Sequence, residues 1–218
     1  MKKLYLLILS VLFIVPIYSK NNEISNIDYY EEGMKYYIAG NYSDALNMFS
    51  KGLEFGDKVM CPQMMGEIYY LGLGVSKNDN LSTYYFRIAA TNDNPYAQYS
   101  LGLAYYNGIG CSKNDVEARK YYKLSAESNL IPEACFNYAC MLYNGEGGIK
   151  DLNESFIYYQ KAAEMGFPDA QYCVALVFYY GEYNGIRTKQ DKRKAYELLN
   201  KSASKGYTRA LIALNQLF

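Results

Sequence analysis

The sequence predicts an all-α solenoid of helix-turn-helix repeats, about five helix pairs followed by a C-terminal capping helix. Three observations predict it. Self-similarity recurs at about 36 residues, the period of a repeat unit. Within each period small and apolar residues fall at helical spacing. Helix-start and helix-stop residues also recur at fixed offsets.

Cys61, Ala97, Ala134, Ala170 and Ala210 serve as anchors, spaced 36, 37, 36 and 40 residues apart. Five residues beyond the first four stand small residues, Gly66, Gly102, Ala139 and Ala175. Eight beyond come Tyr69, Tyr105, Leu142 and Phe178, and nine beyond come Tyr70, Tyr106, Tyr143 and Tyr179. Together these positions form one helical face. Eleven beyond is glycine each time, Gly72, Gly108, Gly145 and Gly181, suited to the left-handed residue that ends a helix. Pro95, Pro132 and Pro168 precede their anchors by two residues, where the first helical turn has no use for the missing N–H. Asn114 with Glu117 and Asp151 with Glu154 have the spacing of an N-cap and an acid three positions on, opening a second helix. Ala90, Ala126, Ala163 and Ala203 recur in that helix, the last displaced by an insertion in the loop 182–190. Gly102 and Ala126 allow the two helices of a unit to approach closely. The expected helices are 27–39, 42–54, 58–71, 79–91, 95–107, 115–128, 132–144, 152–165, 168–180, 190–205 and 207–217, the last capping the stack.

The first unit is phrased differently, with Gly33, Tyr36, Gly40, Tyr42, Ala45, Phe49 and Gly52 at tetratricopeptide spacing. Glu32 and Gly52 depart from that pattern, which prefers leucine and alanine there. The run from Ala97 to Gly110 and the run from Tyr158 to Gly166 resemble the Sel-one-like repeat family, relatives of tetratricopeptide repeats. The resulting division is 1–19 signal peptide, 20–26 linker, 27–56 tetratricopeptide-like unit, and 57–218 Sel-one-like repeats. The repeats fall at about 57–93, 94–129, 130–166 and 167–206, with the cap at 207–218. The resemblance implies a right-handed superhelix that serves as a non-enzymatic adaptor for a protein or extended peptide. It also implies that Tyr70, Tyr99, Tyr106, Phe136, Tyr143, Tyr172 and Tyr179 face the concave groove. Tyrosine offers large contact area at low rotamer cost, so these seven are the candidate partner-binding residues. Asn107 and Asn144 stand beside two of them, with amides suited to a ligand backbone. Tyrosines eight beyond the anchor, such as Tyr105, are expected in the core.

Residues 1–19 carry Lys2 and Lys3, an apolar run from Leu4 to Val15, Pro16 and then Ser19, the layout of a secretory signal. The run is shorter than the roughly 20 residues that span a bilayer, so an exported protein without a permanent membrane span is expected, periplasmic or secreted and bacterial. Basic and acidic residues balance at 22 each, which argues against a nucleic-acid partner. Histidine is absent, which argues against triad hydrolysis and ordinary zinc catalysis, so no metal, cofactor or catalytic residue is expected. Cys61, Cys111, Cys135, Cys140 and Cys173 are odd in number and fall at unrelated repeat positions. Only Cys140 with Cys173, on adjacent first helices, forms a plausible bridge. Asn41, Asn80 and Asn153 occupy glycosylation sequons. The rival functional reading is a cell-envelope hydrolase of the β-lactamase-labelled, cysteine-rich repeat type. It rests on Ser202 and Lys205 in S-x-x-K spacing, without the accompanying S-D-N or K-T-G.

Overall fold

The structure, a computed structural model, describes residues 28–218; the expected signal segment 1–19 and linker 20–26 lie outside the described residues. Five helical hairpins follow one another. They are α1 (Tyr29–Ile38) with α2 (Tyr42–Glu54), α3 (Met60–Leu71) with α4 (Asp79–Thr91), and α5 (Pro95–Asn107) with α6 (Asp115–Glu127). Then come α7 (Pro132–Asn144) with α8 (Leu152–Glu164) and α9 (Pro168–Tyr180) with α10 (Lys192–Ser204), and α11 (Thr208–Leu217) closes the stack. Each helix packs chiefly on its neighbours in sequence, the contact pattern of an α-solenoid. No described helix is long and apolar enough to cross a membrane.

The residues that punctuate the sequence perform the expected tasks. Gly72, Gly108, Gly145 and Gly181 end their helices in left-handed geometry, at φ of 68°, 71°, 77° and 75°. Asn78, Asn94, Asn114, Asp151 and Asp191 cap helix N-termini through their side-chain oxygens. Each such cap contributes about 1 kcal/mol.

Within each hairpin a small residue of the first helix receives a large side chain of the second. A methyl group on Gly66 would lie 2.6 Å from the Phe86 ring, and one on Gly102 would lie 2.6 Å from Tyr122. Gly33 stands in the same relation to Phe49, at 2.5 Å. In the later units Ala139 and Ala175 take that place, with Tyr159 and Leu199 at the register position of Phe86 and Tyr122. Between hairpins the contact is closer still. Gly110 and Gly147, at φ of 63° and 68°, lay their backbone against the carbonyls of Asp79 and Asp115, which open the second helix of the preceding unit. The Thr83 hydroxyl donates to the Ile109 carbonyl at 2.9 Å beside the first of these junctions.

The insertion after α9 is not the plain loop expected. It forms a small hairpin, β1 (Glu182–Tyr183) paired antiparallel with β2 (Ile186–Arg187). Asn184 and Gly185, at φ of 52° and 83°, supply the two left-handed residues that a tight hairpin turn requires. Arg187 pairs with Glu182 at 2.9 Å, and Ile186 is buried in the main core. The following helix accordingly starts at Lys192 rather than at 190, capped by Asp191, which accepts from the Lys194 N–H at 2.9 Å.

All five cysteines are free; Cys61 and Cys135 are buried and the others half-buried. Burial pushes every thiol up, that of Cys173 to about 12, and Cys140 accepts a hydrogen bond from the Tyr159 hydroxyl at 3.3 Å. Small hydrophobic thiols of this kind pack rather than cross-link. Thermal melts recorded with and without a phosphine reductant should therefore coincide. A melting temperature lowered by reduction would show that a disulfide supports the fold.

Candidate partner-binding groove

The first helices of successive hairpins, α1, α3, α5, α7 and α9, contribute their residues at fixed register positions to one face. The seven candidate aromatics are half-buried there, except Tyr70, which is 44% exposed. A lysine from the loop or helix that follows lies over each of the four tyrosines nine residues beyond the anchor. Lys77 is 5.4 Å from the Tyr70 ring centre, Lys113 is 5.3 Å from Tyr106, Lys150 is 5.0 Å from Tyr143, and Lys192 is 4.9 Å from Tyr179. At exposed sites each such contact is worth about 0.5–1 kcal/mol, a modest bias on the orientation of the ring.

The seven nevertheless divide into two groups. Toward the C-terminus the chain covers its own aromatics. The Tyr179 hydroxyl donates to the Leu217 carbonyl at 3.1 Å, and its ring meets Phe218 at 5.3 Å. Tyr172 packs on Tyr207 at 5.5 Å. The Tyr143 hydroxyl donates to the Asn184 carbonyl of the inserted hairpin at 3.4 Å. Phe136 is wedged against Phe167 at 5.0 Å and Tyr159 at 5.5 Å. Tyr106 and Tyr99 share one neighbour, Tyr122, at 6.4 and 6.0 Å, so that contact does not separate them. The amides beside the ladder are also engaged, Asn107 with the Leu103 carbonyl at 3.0 Å and Asn144 with the Glu146 carboxylate at 3.1 Å.

Toward the N-terminus the face opens. Tyr70 and Tyr99 line a cavity of about 270 Å³ bounded by α1, α3, α4 and α5. Met34, Met64, Leu71, Phe86 and Leu103 make its walls apolar, and Tyr37, Tyr96, Ser100 and Asn107 add polar edges. Burial raises the Tyr99 hydroxyl to about 12, so it remains a neutral hydrogen-bonding group at physiological pH. The stacked pairs Tyr69–Tyr85 and Tyr105–Tyr121 lie within their hairpins at 5.7 and 5.9 Å. Tyr69 and Tyr105 are half-buried rather than core, and the fully enclosed tyrosine of that region is Tyr122, at 2% exposure.

One charged residue lines the cavity, and the sequence reading passes over it. Glu67 stands six residues beyond its anchor, where the other three units carry Leu103, Cys140 and Leu176. Its two oxygens accept from the Tyr37 hydroxyl at 3.1 Å and the Gln63 amide at 3.3 Å. Burial raises its pKa, and those two hydrogen bonds partly oppose the rise. Among the described residues no lysine or arginine forms an ion pair with it. The signal was its break with the register, a carboxylate at a position that is otherwise apolar or weakly polar.

The S-x-x-K spacing does not assemble a nucleophile. Ser202 is fully buried and donates to the Pro168 carbonyl at 2.7 Å, tying α10 to the start of α9. Ser125, at the same register position, does the same with Pro95 at 2.8 Å. Lys205 donates instead to the Gly166 carbonyl at 2.5 Å. Among the described residues no cluster of acidic or cysteine side chains is arranged to hold a metal ion.

Comparison with known proteins agrees with this architecture. A sequence profile of the Sel1 repeat matches residues 63–94, 95–130, 132–167 and 168–207. A Sel1 repeat protein from Oxalobacter formigenes shares 31% identity and a TM-score of 0.75, over 87% of this chain and 73% of that one. The protein c5321, described as a protective antigen present in uropathogenic Escherichia coli strains and displaying an SLR fold, shares 30% identity at a TM-score of 0.75. That match covers 85% of this chain but 40% of c5321. The matched repeats fall on the four hairpins from α3 to α10, and the chain belongs to the Sel1 repeat family, a scaffold family that typically mediates protein interactions and is generally non-enzymatic.

Proposed function

We propose that this protein is an exported, non-enzymatic scaffold that holds an extended segment of a partner protein along the face of its first helices. The observation that carries the reading is the open apolar cavity at the N-terminal end of the aromatic row. There Tyr70 and Tyr99 line the open space, with Lys77 over the first ring and Tyr122 beside the second, whereas Tyr143, Tyr172 and Tyr179 are met by the inserted hairpin and the C-terminal segment. A concave, mostly apolar site with a few polar groups is the usual form of a binding pocket. Export rests on the basic and apolar run of residues 1–19, and a relative described as a protective antigen accords with a partner met outside the cytoplasm.

A photo-crosslinking amino acid placed at Tyr99 should capture a discrete partner in the envelope or secreted fraction. The same group at Leu124, exposed on the second-helix side in α6, should not. Equal capture from both positions would place the partner elsewhere, and capture confined to the cytosol would remove the exported part of the reading.

A further inference from the structure

The groove reading leaves the chemistry of the bound segment open, and Glu67 narrows it. The cavity around it, about 270 Å³ in volume, has walls of methionine, leucine and phenylalanine and a single charge. A partly buried carboxylate that lacks a cation carries a desolvation cost, and proteins ordinarily pair such groups. Each oxygen accepts one hydrogen bond, from Tyr37 or Gln63, although an ionised carboxylate offers about four acceptor sites. The side-chain oxygen of Gln63 is itself buried with no hydrogen-bond partner, so this corner of the cavity is rich in acceptors and short of donors. The rings of Tyr70, Tyr96 and Tyr99 line the same space, and their faces attract cations. Three other hairpins build the same position with Leu103, Cys140 or Leu176, so the fold does not require an acid there.

From this juxtaposition we infer that the cavity is a subsite for a basic side chain of the bound segment, a lysine or arginine. Its aliphatic stem lies along Met34, Met64 and Leu103, and its cationic head meets Glu67. The inference rests on the groove reading and adds the partner's chemistry to it. It departs from a purely apolar groove in one respect: the segment is selected by charge as well as by shape.

The test uses small probes, so that it reports on the subsite whether or not a partner has been found. Hexylammonium, hexylguanidinium and hexan-1-ol would be titrated into the protein while the methyl signals of Met34 and Met64 are followed by NMR. Both cations should bind at least about tenfold more tightly than the alcohol, as hydrogen bonds to a charged group imply. In Glu67→Gln that preference should vanish, and in Glu67→Leu, which restores the residue of the other hairpins, the alcohol should bind better than either cation. The relative strength of the two cations distinguishes lysine from arginine as the preferred residue. Hexanol binding as tightly as the cations, a preference that survives Glu67→Gln, or no perturbation of either methyl by any probe would each overturn the inference. Those results would leave crosslinking at Tyr99 unaffected, whereas loss of the crosslink with the cation preference intact would remove the groove reading alone.

Discussion

Gly110→Ala should destabilise the protein far more than Gly40→Ala, although both add one methyl group to a left-handed glycine. Gly40, at φ of 79°, has open space where the Cβ would go, so its variant meets only the backbone penalty of about 1–2 kcal/mol. At Gly110 the same atom would run into the carbonyl of Asp79 and lie 2.6 Å from the Thr83 hydroxyl. The backbone of α4 cannot rotate away as a side chain can. Overpacking typically adds a further 1–3 kcal/mol, so the total should reach roughly 2–5 kcal/mol. The damage falls on the junction between two repeats. Because a solenoid is stabilised through nearest-neighbour interfaces, unfolding should broaden or split into two steps as the units on either side uncouple. Urea unfolding followed by circular dichroism measures both effects. Equal losses at the two glycines would show that the junction yields, and that the close approach contributes nothing to coupling the repeats.

Much of this architecture is legible in the sequence because the constraints that build it act on the backbone and recur. A glycine at the left-handed end of each first helix and an Asn or Asp at the start of most second helices repeat with the period, so chance agreement at one position is corrected by the next. Gly102 is legible as a point of close approach for the same reason, but the ring that meets it, Tyr122, is not, because the sequence pattern pairs Gly102 with Ala126. The tight turn at Asn184–Gly185 occurs once, and an asparagine-glycine pair inside an insertion has no repeat register to interpret it.

The candidate groove is legible only in outline. Repeat register places Tyr70, Tyr106, Tyr143 and Tyr179 in one row but says nothing about what else reaches them. Tyr143 is met by Asn184, and Tyr179 by Leu217, through contacts 41 and 38 residues distant in sequence. These contacts depend on the insertion and on α11, the two places where the period is broken. Glu67 is not legible as a cavity residue, because a lone acid on a helix has the pattern of a solvated surface residue.

The second large effect separates the residues that build the solenoid from those proposed to bind. Tyr122 is enclosed against Gly102 and between Tyr99 and Tyr106, with ring centres at 6.0 and 6.4 Å. Removing an aromatic ring from such a site leaves a cavity, and Tyr122→Ala should cost about 3–5 kcal/mol. Tyr70 is more exposed, with the amine of Lys77 over its ring, and Tyr99 shares its inner edge with Tyr122. The informative variant is therefore Tyr70→Ala combined with Tyr99→Leu, because leucine keeps an apolar contact with Tyr122 while removing the ring presented to the cavity. Aromatic anchors at interfaces commonly cost 2 kcal/mol or more when truncated, about a thirtyfold loss of affinity.

Melting temperature and affinity for the partner captured at Tyr99, measured together on these two variants, test the central claim most directly. The account predicts that the Tyr70/Tyr99 variant melts close to the parent protein and binds at least about thirtyfold more weakly. Tyr122→Ala should melt much earlier and retain affinity at temperatures where it is folded. A Tyr70/Tyr99 variant that melts early yet binds normally while folded would contradict the account and make the aromatic row part of the packing between repeats.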